Sequence, residues 1–167
     1  MRATGARIAT FVIAFALLLG AAGCGGGQKG NSGQESGRAL TLYFDGDFQG
    51  ALAYCRGLEG SGLAGMELES EMRACFAVRP AIYMVQQDMA MARQEIRLVC
   101  EAAPRYNTDK VGIAGMNLLL FLGQGQAESV QEWVLNQVLD MYLMECGISA
   151  EQLSQKVKEI MDQINRG

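Results

Sequence analysis

VQEWVLNQVLDMYLMECGISAEQLSQKVKEIMDQINRG, residues 130–167, is the stretch that decides the fold class. Val130, Trp133, Val134, Val138, Met141 and Tyr142 recur at three- and four-residue spacing, the period of one helix face rather than the period of two of a strand. That stripe is expected to place Trp133 in the core beside the valines. Gly147 stands where a helix closes on a left-handed residue. Ser149, with Gln152 three residues on, forms a capping box that opens a last helix. It carries Leu153, Val157, Ile160 and Ile164 on one face and turns Lys156 and Lys158 to solvent.

Upstream the pattern is again helical. Leu40, Tyr43 and Phe44 belong to a short amphipathic stretch that Gly46 stops and Asp47 restarts, and Phe48, Ala51, Leu52, Cys55 and Leu58 line the next helix. Residues 59–65, EGSGLAG, read as a loop, and Met66–Val78 as a helix with Leu68, Met72, Cys75 and Phe76 inward. Pro80 suits the first turn of a new helix running to about Ala102, with Ile82, Val85, Met89, Ala92, Ile96 and Val99 buried; one long helix kinked at Pro80 is the alternative. Pro104 ends that helix. Asn107 or Thr108 caps another, which reaches Leu122 on Val111, Leu118, Leu119 and Leu122, and Gly123-Gln124-Gly125 breaks it before a restart near Ala127. No segment alternates with period two, so the chain is expected to be all-α, an array or bundle of about five to seven helices over 38–167.

The chain has 167 residues, 14 basic and 18 acidic side chains and no histidine. Without an imidazole, Ser-His-Asp and Cys-His nucleophile systems and histidine-held zinc or haem are excluded. An acidic balance with no dense Lys/Arg cluster excludes nucleic acid as partner. No residue is assigned a catalytic role, and no cofactor or metal is expected.

At the N-terminus Arg2 and Arg7 precede an uncharged apolar stretch from Ile8 to Leu19, then small residues and Ala21-Ala22-Gly23-Cys24. A spanning helix needs roughly 20 apolar residues, more than this segment has, so 1–23 reads as a cleaved secretory signal. The run up to Cys24 resembles that of bacterial lipoproteins, in which such a cysteine receives a diacylglyceryl thioether and becomes the new N-terminus. Ala21 stands where the family usually carries leucine. The resemblance implies lipidation of Cys24 and attachment to a membrane through its acyl chains. Gly25, rather than aspartate, follows the cysteine, which by the family's sorting pattern directs a protein of a double-membraned bacterium to the outer membrane, facing the periplasm. Residues 24–37, CGGGQKGNSGQESG, have nothing to bury and form a flexible linker with a reach of roughly 20 Å. Cleavage leaves 12 basic and 18 acidic side chains, a charge of −6, unsuited to lying flat on anionic lipid.

Four further cysteines, Cys55, Cys75, Cys100 and Cys146, form an even set that reads as two disulfides in an exported protein. Cys100 and Cys146 close two helices separated by one antiparallel helix, which favours their pairing and leaves Cys55 with Cys75.

Residues 39–58, ALTLYFDGDFQGALAYCRGL, resemble half of a tetratricopeptide repeat through Gly46, Asp47, Phe48, Ala51 and Tyr54, with an echo through Pro104, Gly125 and Val130. The resemblance implies stacked helical hairpins presenting a partner-binding surface, although Gly46 and Gly125 do not keep the family's period of roughly 34 residues. Two other clusters carry blander readings. Met84, Met89 and Met91 are expected to pack rather than bind copper. Glu67, Glu69 and Glu71 alternate around a helix with Arg73 near and form a solvated first turn rather than a carboxylate pair. The expected function is a membrane-anchored, non-catalytic helical interaction or assembly module working with an envelope protein. The alternatives are a ligand-binding accessory lipoprotein of a transport system and a carboxylate-based envelope hydrolase.

Overall fold

A computed structural model describes residues 37–58, 61, 65–123 and 132–166. Among these residues there are seven α-helices and no strand: α1 (Arg38–Phe44), α2 (Phe48–Leu58), α3 (Gly65–Val85), α4 (Met89–Ala102), α5 (Lys110–Gly123), α6 (Glu132–Cys146) and α7 (Ala150–Arg166). A 3-10 turn, Ala103–Tyr106, follows α4. Helices α1, α3, α5 and α7 pack side by side in succession, while α2 covers α1 and α3, α4 covers α3, and α6 lies on α4. The chain is all-α, as its periodicity implies.

Local chemistry sets the helix ends. Gly46 (φ 79°) and Gly147 (φ 66°) are the left-handed residues on which α1 and α6 close. The Asp47 carboxylate accepts from the Gly50 N–H at 2.8 Å, opening α2. Ser149 and Gln152 form the capping box reciprocally: Ser149 N–H donates to Gln152 Oε1 (2.9 Å), and Gln152 N–H to Ser149 Oγ (3.2 Å). The cap of α5 differs from expectation. Asn107 (φ 48°) ends the 3-10 turn, and Asp109 supplies the capping oxygen, accepting from Val111 N–H at 3.0 Å.

Pro80 also departs from the expected start of a helix. It lies inside α3, which runs on to Val85. Proline has no N–H, so the Phe76 carbonyl one turn back loses its helical donor. Asn117, buried on α5, restores it: its Nδ2 donates to Phe76 O at 2.9 Å and also to Ala77 O, and its Oδ1 accepts from Tyr142 Oη at 2.8 Å. One amide thus joins α3, α5 and α6. The break comes instead at Gln87, a left-handed non-glycine residue (φ 58°), after which Asp88 caps α4 by accepting from Met91 N–H at 3.1 Å.

Two disulfides tie the helices, Cys55–Cys75 between α2 and α3 and Cys100–Cys146 between α4 and α6, with Cα separations of 5.5 and 5.6 Å. The α5–α7 contact depends on Gly115, where a Cβ would sit 3.0 Å from Lys156 Cγ and 3.2 Å from Ile160 Cδ1. Lys156 is therefore half-buried against α5 rather than turned to solvent, while its ammonium reaches Glu159 at 2.8 Å.

Candidate interaction surface

The signal segment, Cys24, the linker up to residue 36, most of the 59–65 loop, the 124–125 break, Ala127 and Val130 lie outside the described residues. The remaining sequence candidates can be placed. Met84 is buried, and Met89 and Met91 pack against the core, so the three methionines fill helix interfaces. Among the described residues no group of three or more Cys, Asp or Glu side chains is arranged to hold a metal ion, and no helix is long and apolar enough to cross a membrane.

The acidic trio separates. Glu67 is exposed, and Glu69 lies 3.6 Å from Arg73. Glu71, expected in solvent, is 2% exposed. Its oxygens accept from Gly37 N–H at 3.2 Å and from Tyr54 Oη at 2.7 Å, while the Arg38 guanidinium stacks 5.3 Å above the Tyr54 ring. This carboxylate fastens the start of α1 to α2 and α3. Burial of a charge requires such partners, so the position is structural. A second buried carboxylate, Glu95 on α4, lies 2.7 Å from Arg79 on α3.

Helix α6 is held from its inner side. Val134, Val138, Met141, Tyr142 and Cys146 are buried. Arg93 and Arg97, one turn apart on α4, each donate through Nε to a separate oxygen of Glu145, at 2.5 and 2.7 Å. The hydrogen bond from Arg97, then that from Arg93, lowers the Glu145 carboxyl from an ordinary 4.5 to about 2, and the same contact raises the Arg97 guanidinium. Burial pushes the Tyr142 phenol well up. Lys110 adds a bond from Nζ to the Cys146 carbonyl at 2.8 Å.

The outer side of α6 carries apolar side chains among the exposed polar Glu132, Asn136, Gln137 and Asp140. Trp133 is 58% exposed, Leu143 53% and Met144 71%, which corrects the expected burial of Trp133. Val134, Val138, Met141 and Tyr142 set the direction of the buried arc, and Trp133 projects from the opposite side with Gln137, Asp140 and Met144, a stripe at i, i+4, i+7 and i+11. The signal available in the sequence was a surplus: apolar residues run round the whole of α6, more than one packing surface needs. Leu98 on α4 is also exposed.

No protein-family model, no curated protein and no solved structure matches the chain.

Proposed function

We propose that this chain is a lipid-anchored, non-catalytic helical interaction module of the bacterial cell envelope, joined to a membrane through Cys24 and carried on the linker of residues 24–37. The observation that carries the proposal is the outer face of α6, where Trp133, Leu143 and Met144 stand exposed on a helix that its neighbours otherwise hold firmly. Exposed apolar side chains grouped on one element mark contact surfaces, and tryptophan and methionine are enriched where proteins meet. The absence of histidine from the sequence and the separate structural roles of Glu71 and Glu95 support a non-catalytic role. By the lipoprotein resemblance the location is the outer membrane, facing the periplasm. The tetratricopeptide resemblance fits a partner-binding array of hairpins, here α1 with α2 and α3 with α4.

The test is expression of the full chain in a bacterial host, membrane fractionation, crosslinking and identification of bound proteins, beside Cys24→Ala and Trp133→Asp variants. The proposal expects membrane association that Cys24→Ala abolishes and a crosslinked protein that Trp133→Asp loses. A chain that stays with the membrane without Cys24, or whose crosslinks ignore Trp133, contradicts it.

A further inference from the structure

We propose that the Cys100–Cys146 disulfide is a site of thiol–disulfide exchange with a dithiol and that its opening loosens α6 from α4, while Cys55–Cys75 stays closed as a structural bond. The inference concerns how α6 is held and does not depend on which partner its outer face meets.

The two bonds differ in access. Cys55 and Cys75 are 1% and 0% exposed. Their helices are joined again beside them, where Tyr54 Oη donates to Glu71 at 2.7 Å. A thiolate must reach a disulfide sulfur to attack it, and a bond buried at both ends offers no approach. Of these four cysteines Cys100 is the one that is half-buried rather than buried, and its partner Cys146 is 7% exposed. Attack is therefore directed to Cys100, and Cys146 is the leaving sulfur.

The surroundings of Cys146 suit a leaving thiolate. Arg93 and Arg97 on α4 and Lys110 on α5 stand near the bond with Glu101 and Glu145, three cations against two anions. Cys146 closes α6, where the helix dipole opposes negative charge, and Lys110 Nζ donates to the carbonyl of Cys146 itself at 2.8 Å, a cation placed to offset that dipole. Cys146 Sγ also lies 3.8 Å from the Ile96 carbonyl. A bonded sulfur has no proton to donate, so this acceptor serves the reduced thiol.

The exchange balances as follows. One thiolate of the dithiol attacks Cys100 Sγ, the S–S bond breaks, and its electron pair leaves on Cys146, which takes up a proton. The second thiolate then attacks the dithiol's own sulfur in the mixed disulfide and expels Cys100, which is protonated in turn. Two electrons and two protons pass to the protein, and the dithiol leaves as a disulfide. The bond that opens closes 46 residues of sequence between α4 and α6. Without it α6 is kept by its buried arc, the Glu145 ion pairs and the Tyr142–Asn117 hydrogen bond, so it stays folded and opens more often.

The experiment uses the purified, oxidised full chain, with any Cys24 thiol blocked beforehand by N-ethylmaleimide. Dithiothreitol is added at neutral pH without denaturant, samples are quenched with iodoacetamide in guanidinium and mapped by peptide mass, and backbone hydrogen exchange of the product is compared with that of the parent. Alkylation of Cys100 and Cys146 is expected about a hundredfold sooner than that of Cys55 and Cys75. The amides of α6 should then exchange at least about tenfold faster, with those of α2 and α3 unchanged, and a Cys100→Ser, Cys146→Ser double variant should show the same α6 exchange without dithiothreitol. Opening of both bonds together, of Cys55–Cys75 first, or of neither without denaturant overturns the exchange site. Unchanged exchange of α6 in the reduced chain and in the double variant overturns the loosening.

Discussion

Helices α6 and α7 follow one another, have 15 and 17 residues, and spend their apolar side chains differently. In α7 the apolar positions, Leu153, Val157, Ile160 and Ile164, lie along one face, and that face is packed, with Leu153 fully buried and Val157 and Ile160 against the core. The rest of α7 is charged or polar apart from Ala150 and Met161. In α6 the apolar residues encircle the helix; the inner arc packs on α4 and reaches Asn117, while Trp133, Leu143 and Met144 face outward. Helix α7 has the hydrophobic stripe that one neighbour requires. Helix α6 carries apolar residues beyond those that α4, α5 and α7 bury among the described residues.

If that comparison is sound, truncation should act on stability in α7 and on association in α6. The largest effect is expected for Leu153→Ala: removing a fully buried leucine should destabilise the chain by about 2–5 kcal/mol, read from the urea midpoint of unfolding. Next comes the inner side of α6. Asn117→Leu leaves the Phe76 carbonyl and the Tyr142 hydroxyl buried without their partner and should cost about 2–3 kcal/mol by the same measurement.

Acid provides a smaller lever on the α4–α6 contact. The Glu145 carboxyl is held at about 2, below its ordinary value, so its ion pairs contribute stability above the ordinary carboxylate range. That contribution is lost as pH falls from 4.5 towards 2. Unfolding midpoints across this window should therefore fall more steeply in the parent than in Glu145→Gln. An identical slope would remove Glu145 from the account of how α6 is held. The smallest stability effect is expected on the outer face: Met144→Ala should shift folding free energy by no more than about 0.5 kcal/mol. A loss comparable to that of Leu153→Ala would make Met144 a core residue and erase the contrast between the two helices.

What the sequence could disclose followed from how local each cause was. Helix periods, the Gly46 and Gly147 stops, the Asp47 cap and the Ser149–Gln152 box depend on neighbours within one turn and are visible as such. The disulfide pairing was legible because helix polarity brought Cys100 and Cys146 to one pole. Pro80 reads first as a helix start, and its place inside α3 agrees only with the alternative of a helix continuing through it, because the donor that makes it tolerable, Asn117, lies 41 residues from the carbonyl it serves. The stop at Gln87 was hidden because glutamine rarely takes a left-handed conformation, so the chain gives no glycine to mark it. Glu71 resembled its exposed neighbours in sequence and differs only through Gly37 and Tyr54, which the fold brings to it. Trp133 shares the three- and four-residue spacing of the buried valines, and spacing alone does not say how much of the helix circumference the neighbouring helices cover.

The central claim, that the outer face of α6 is a contact surface, is most directly tested through Trp133, the one tryptophan of the chain. Its emission and its quenching by acrylamide would be measured for the full chain in neutral vesicles before and after addition of solubilised envelope proteins of a bacterial host. The account predicts a blue shift and reduced quenching on addition, both lost in Met144→Asp. Emission and quenching that do not change on addition would contradict it.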